Sequence, residues 1–289
     1  MERILWGEMT WPEIQEAAKQ QRVVILPVGV TEQHGRHLPT NADYLVPETL
    51  ATRAAQRLPE KALVAPSINH GFTAHNMDWP GGITITGRVF IDYVSDVCRS
   101  VVHNGFTKVL VLNGHGGNIP FLEVSIRLAA LETGAFIGLI SHWQLEPFKQ
   151  VAARVRESPA PSGFHACELE TSLYLAIRPE LVQMEHRDRN VGLNDSRYFW
   201  IDTGGGGDRA TTAGFIEPFS AYTQSGTMGD ATLATAQKGV ELLDAAVQGV
   251  VDLVEEIHAR PLREAHDHHE RPKMPHRYPT QAPQGVLRP

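Results

Sequence analysis

Two runs constrain the fold of this chain more than any other feature: "RVVILPVG" at 22–29 and "KVLVLNG" at 108–114. A half-buried strand alternates apolar and polar residues. A run that is apolar at nearly every position has both faces covered, as strands do in a parallel sheet flanked by helices. "ALVAPSI" (62–68) and "AFIGLIS" (135–141) read the same way. Helical segments fall between them. "VPETLATRAAQRL" (46–58) reads as a helix with Pro47 in its first turn, where its missing N–H costs nothing. From Thr86, the residues Phe90, Val94, Val97, Cys98, Val101 and Val102 follow helical spacing, and Asn104-Gly105 stops them. "IPFLEVSIRLAALE" (119–132) opens a third helix after Asn118. Short strands alternating with helices predict an α/β fold with a mostly parallel sheet and helices on both faces.

The second half is less regular. "HACELETSLYLAIRPELV" (165–182) contains a helix ended by Pro179, and "TGGGGD" (203–208) reads as a flexible loop, a candidate lid. Val240, Leu243, Val247, Val250, Val254 and Ile257 step by three and four, which predicts a long amphipathic helix. Beyond Pro261 the chain is rich in His, Arg and Pro. We therefore expect one catalytic domain over 1–258 and a His/Pro-rich tail over 259–289. A formal net charge of -7 and no dense Lys/Arg cluster argue against a nucleic-acid partner. No apolar stretch approaches the length of a membrane span, and the N-terminus lacks the apolar core of a signal peptide. Two cysteines, Cys98 and Cys167, in 289 residues suggest a reducing, cytoplasmic setting.

Three polar clusters adjoin these apolar segments. "GVTEQHGRHLPTNAD" (29–43) follows the first strand and sets out Glu32, His34, His37 and Asp43. If 31–35 stay extended, Glu32 and His34 point to one side. Carboxylate oxygen and imidazole nitrogen are the usual ligands of zinc or manganese. Alone, the pair fits a polar surface loop equally well. "NGHGGN" (113–118) follows the second buried strand, where open α/β sheets bind ligands, and presents His115 between glycines. It lacks the spacing of a phosphate-binding loop. In "FHACELETSLYLAI" (164–177), Leu169, Leu173 and Ile177 form a core stripe. Glu168 and Glu170 then diverge by about 100° each from Leu169, so only one of them enters a site with ease. His165 lies at or before the helix start.

Together, "PVGVTEQHGRHLPTNAD", "LNGHGGN" and "HACELETS" resemble the three signature motifs of the creatininase family of metal-dependent amidohydrolases. "SGTMGDATLATAQKG" (225–239) resembles that family's C-terminal portion. The resemblance covers most of residues 4–257 and implies a three-layer α/β/α sandwich. It implies two divalent metal ions per chain (Zn, Mn or Fe) held by Glu32, His34, Asp43, His115 and Glu170, with Asp43 as the bridging ligand. It implies that His165 is a catalytic histidine, and that the chain is a homo-oligomer, a hexamer in many relatives. Creatinine-hydrolysing members resemble "GHYEN" at the second motif. Here Gly116 and Gly117 replace those side chains, which argues against creatinine itself. Members with the glycine loop hydrolyse formamides, process peptides or open oxidised inositol rings.

The expected chemistry is attack of a metal-bridging hydroxide on the carbonyl of a small cyclic amide or formamide, with His165 as general acid. Hydrolytic C–C ring opening of a cyclic ketone, such as an oxidised inositol, needs the same ligands. A non-catalytic protein with a structural metal site is the third reading. Trp143, Trp79 and His75 are candidate pocket residues. His37 reads as support for the loop, and His70 and His142 as structural histidines. Cys167 lacks any feature that would lower a thiol pKa. The "HDHHE" run (266–270) reads as solvated tail.

Overall fold

The computed structural model describes residues 3–160, 162–191, 202, 216–263, 266 and 268. The apolar runs form strands β1 (Val23–Val28), β2 (Ala62–Val64), β3 (Lys108–Asn113) and β4 (Phe136–Ser141). They build one parallel sheet in the order β2-β1-β3-β4. Every residue of β1 and of β3 is buried. Alternation is still present, but it sorts residues between two cores rather than between core and water. Val23, Ile25, Leu110 and Leu112 face one apolar cluster, and Val24, Leu26, Val28, Val109 and Val111 face the other.

The second cluster is closed by helices α1 (Trp11–Lys19), α3 (Gly87–His103) and α4 (Ile119–Thr133). The first is closed by α2 (Ala42–Arg57), α5 (Glu146–Val155), α6 (Glu168–Ile177) and α7 (Ala236–Ala259). The result is the expected three-layer α/β/α sandwich. Helix α7 buries Leu243, Val247, Val250, Val254 and Ile257 as its spacing predicts. Val240, assigned to the same stripe, is instead exposed, because Gly239 is the residue that packs against α6 there, where a Cβ would stand 1.8 Å from the Ser172 carbonyl oxygen.

Three features differ from the sequence reading. Helix α1 was not expected, although Thr10 and Glu13 form a capping box at its start. Strands β5 (Gly163–His165), β6 (Arg189–Asn190) and β7 (Met228–Asp230) form a second, antiparallel sheet in the order β5-β7-β6. Helix α2 begins four residues earlier than predicted, so Pro47 lies inside it and Asp43 sits in its first turn. Pro47 has no N–H to give the carbonyl of Asp43 four residues back. That carbonyl faces the ends of β1 and β3: a Cβ on Gly29 would stand 2.3 Å from it, and one on Gly114 2.0 Å. The two glycines let α2 seat its acidic first turn against the sheet. The candidate lid at 203–208 and most of the tail, including much of "HDHHE", lie outside the described residues. Among the described residues, no helix is long and apolar enough to cross a membrane.

Candidate metal centre

The parallel register aligns Val28, Asn113 and Ser141, so β1, β3 and β4 end at one level. The order β2-β1-β3-β4 reverses direction at β1/β3, the position where open α/β sheets bind ligands. Glu32 follows β1 there, with its N–H donating to the Thr40 carbonyl (3.1 Å), and His115 follows β3. Asp43 comes from the start of α2. His165 is the last residue of β5, and Glu170 lies in the first turn of α6. Ala166 joins the last two elements with φ at 50°, a left-handed turn rare for a residue with a side chain.

These side chains meet. His34 Nε2 lies 2.9 Å from Asp43 Oδ1, and His115 Nδ1 donates to Asp43 Oδ2 at 2.8 Å. His115 Nδ1 is also 3.4 Å, and His165 Nδ1 3.5 Å, from Glu32 Oε1. The rings of His34 and His165 stand 4.3 Å apart. Donor atoms of His34, Asp43 and Glu170 fall within 4.8 Å of one another, and so do those of Glu32, His34 and His165, and those of Glu32, His75 and His115. Glu32 and His34 are fully buried, and Asp43, His115 and His165 are nearly so. Glu170 is half-buried as a residue, with its Oε2 sealed from water.

His115 Nε2 and Glu170 Oε2 have no partner, and Glu32 Oε1 and His34 Nε2 meet only other members of the cluster, without an aligned hydrogen bond. A buried polar atom without a partner costs about 1–3 kcal/mol, so donor atoms left short together in one place fit a bound cation. Three carboxylates and neutral imidazole nitrogens are the donor set of a divalent transition metal. The charges agree. Burial works against ionising His34, yet Asp43, Glu170 and Glu32 raise its pKa to about 10. Burial opposes His115 likewise, and Glu32 and Asp43 raise it to about 10. In this cluster the two imidazoliums supply the positive charge that a cation would otherwise bring. Glu170 is pushed up to about 7 by burial and by the neighbouring carboxylates, against the pull of His34. His165 is held down to about 3 by burial and by His34, so it is neutral at pH 7. Its Nε2–H donates to the Gln33 carbonyl (2.8 Å), leaving Nδ1 toward Glu32.

Around this centre, Thr73 Oγ1 donates to Glu32 Oε2. His37 pairs through Nε2 with Thr171 Oγ1 at 2.8 Å, as support for the loop. Phe219 stands 4.5 Å from the His75 ring and 5.5 Å from that of His165. Thr73 and Phe219 carried no sequence signal, because each comes from a connecting segment without periodicity. Trp143 packs on the core and edge-on against His142. His142, read as a structural histidine, is buried beside the end of β3, and burial holds its pKa down to about 4. Glu168 points away from the centre to Lys238, 2.5 Å from it. Cys167 is pushed up to about 12 by burial, which leaves no thiolate for catalysis.

The family model for creatininase, described as creatinine amidohydrolase, matches residues 7–254. Creatinine amidohydrolase from Pseudomonas putida is 29% identical over 269 residues, covering 86% of this chain and 95% of that protein. The 3-dehydro-scyllo-inosose hydrolase of Thermotoga maritima is 31% identical over 292 residues, covering 93% of this chain and 90% of that protein. A solved structure described as "Creatininase Mn" superposes with a TM-score of 0.76 at 27% identity, over 90% of this chain and 100% of that one. A creatininase variant described as "Zn-Zn type" gives 0.75 at 27% over the same shares. With the family pattern matched across nearly the whole sandwich and every strand end of the centre, the chain belongs to the creatininase family.

Proposed function

We propose that this chain is a metal-dependent hydrolase that adds water across the carbonyl of a small cyclic amide or a formamide and breaks its C–N bond. One observation carries this reading: donor atoms of Glu32, His34, Asp43, His115 and Glu170 converge at the sheet's C-terminal edge, with the buried His115 Nε2 and Glu170 Oε2 left without a partner. Glu32, His34, Asp43, His115 and Glu170 would hold two divalent cations (Zn, Mn or Fe). Asp43 suits a bridging role because its two oxygens face different histidines. When bound, such cations lower the pKa of water from about 15.7 to about 7 and polarise a carbonyl oxygen. His165 moves the proton. Anchored through Nε2 on Gln33, it accepts at Nδ1 and delivers to the leaving amide nitrogen. Phe219 stands edge-on to the His165 ring and bounds that side of the site with an apolar face.

A second reading keeps the site and changes the bond: C–C hydrolysis of a cyclic ketone. The 31% identity to an inosose hydrolase favours it, as do Gly116 and Gly117, which place no side chain over the centre. The test is a panel of lactams, formamides and cyclic ketones run with metal-loaded protein. Ammonia, amine or formate release supports the first reading, and a ring-opened keto acid the second. Loaded protein that turns over nothing in the panel refutes both and leaves a structural metal site. His165→Ala is expected to keep its metal and lose turnover; near-normal turnover would remove His165 from the reaction.

A further inference from the structure

Besides His165, which carries the proton, the centre contains one imidazole that the ligand set above does not use. His75 lies on the single turn Ala74–Asn76, and its ring stacks on that of His115, 5.4 Å away and tilted by only 6°. A donor nitrogen of His75 lies within 4.8 Å of donors on both Glu32 and His115. The same turn serves Glu32 twice, since Thr73, two residues earlier, donates to Glu32 Oε2. The turn is tied down on all sides. The Asn76 N–H donates to the Thr73 carbonyl (3.0 Å), Asn76 Oδ1 accepts from Gln33 Nε2 (2.8 Å), and Ser220 Oγ donates to Asp78. Phe219 covers the ring from the other side.

Gly117 explains how the ring fits. A Cβ there would stand 2.7 Å from His75 Cε1 and 2.5 Å from His115 Nε2. No side chain at 117 is compatible with His75 in this position. At Gly116, by contrast, a Cβ meets nothing within 4 Å. The second glycine of the loop therefore leaves room for two imidazoles side by side, that of His115 and that of His75.

We propose that His75 is a ligand of the cation held by Glu32 and His115, and that Gly117 is glycine to admit it. Two imidazole nitrogens and one carboxylate oxygen select a transition metal such as zinc, manganese or iron over magnesium or calcium. This inference rests on the metal-centre reading above and adds a donor to it.

The test uses metal-stripped full-length chain titrated with zinc. We would measure equivalents bound, affinity by chelator competition, and the number of imidazole ligands by zinc X-ray absorption. For His75→Ala we expect one class of site to weaken at least about 100-fold, beyond the 10–100-fold that outer residues command, with fewer imidazole ligands in the absorption spectrum. His75→Gln, which keeps the volume, should show the same loss if the alanine variant folds poorly. Unchanged stoichiometry, affinity and imidazole count in either single variant would overturn the role of His75 while leaving the centre intact. A wild-type chain that binds no zinc would overturn both.

Discussion

Glu168 and Glu170 are two residues apart on α6, and each enters a buried charged cluster of opposite character. Glu168 Oε1 takes Lys238 Nζ at 2.5 Å and the Glu157 N–H at 3.0 Å, while Oε2 takes the Ser158 N–H at 2.8 Å. Lys238 Nζ also reaches Glu157 Oε1 (2.6 Å) and the Leu233 carbonyl (2.8 Å), which uses all three of its donors. That cluster is closed: every charge has a partner, and nothing remains for a ligand. The cluster around Glu170 has more carboxylate than local cation, buried donor atoms on His115 and Glu170 without a partner, and histidines protonated far above their ordinary range. Burial is common to both. What separates a structural ion cluster from a binding site is whether the fold completes the partners itself.

The comparison breaks most visibly if the ligands are neutralised. Asp43→Asn should strip the metal and cut turnover by about 10³-fold, since cation chemistry supplies several kcal/mol; kcat/KM and metal content measured together check this. Glu170→Gln should do the same without lowering the stability of the metal-free chain. Glu168→Gln should do the reverse. It weakens one charge-assisted hydrogen bond of Lys238, which keeps Glu157 and the Leu233 carbonyl, and costs about 1.5 kcal/mol of stability, while metal content and turnover of the folded fraction hold. Denaturant unfolding of the two variants side by side reads this, and equal effects would erase the distinction.

pH sharpens it further. His34 and His115 must lose protons to act as ligands, so metal uptake at pH 7 should release about two protons per chain, and affinity should climb toward pH 10. Calorimetry in buffers of different ionisation enthalpy counts them. In the metal-free protein the same raised values stabilise the fold fully below about pH 6.5, and that contribution is lost as pH rises through about 10. The metal-free Tm should therefore fall between pH 7 and 10, and the loaded Tm should not. The smallest expected effect is that of Thr73→Val, which removes one hydrogen bond to Glu32 and should weaken metal binding about tenfold.

The sheet was legible because strands buried on both faces leave unbroken apolar runs, and α3, α4, α6 and α7 because their core stripes repeat. The early start of α2 was hidden by Pro47, which reads as a helix beginning but sits inside the helix. The second sheet was hidden because its strands are two or three residues long and partly glycine. The same limit applies to the centre. Glu32, His34, Asp43, His115 and Glu170 stand in motifs next to predicted strands and helices, so spacing and resemblance single them out. His75 stood out only as a candidate pocket residue, and Thr73 and Phe219 not at all; all three arrive from irregular segments, and the folded chain brings them to Glu32 and His165. The opposite directions of Glu168 and Glu170, by contrast, follow from helical geometry alone.

The central claim is that the Glu170 cluster is built around divalent cations. Calorimetric titration of metal-stripped protein with zinc at pH 7 tests it most directly. The account predicts about two tight equivalents per chain with proton release, and a sharply higher Tm in the loaded protein. Absence of binding, with the Tm unchanged by zinc, manganese or iron, would contradict it.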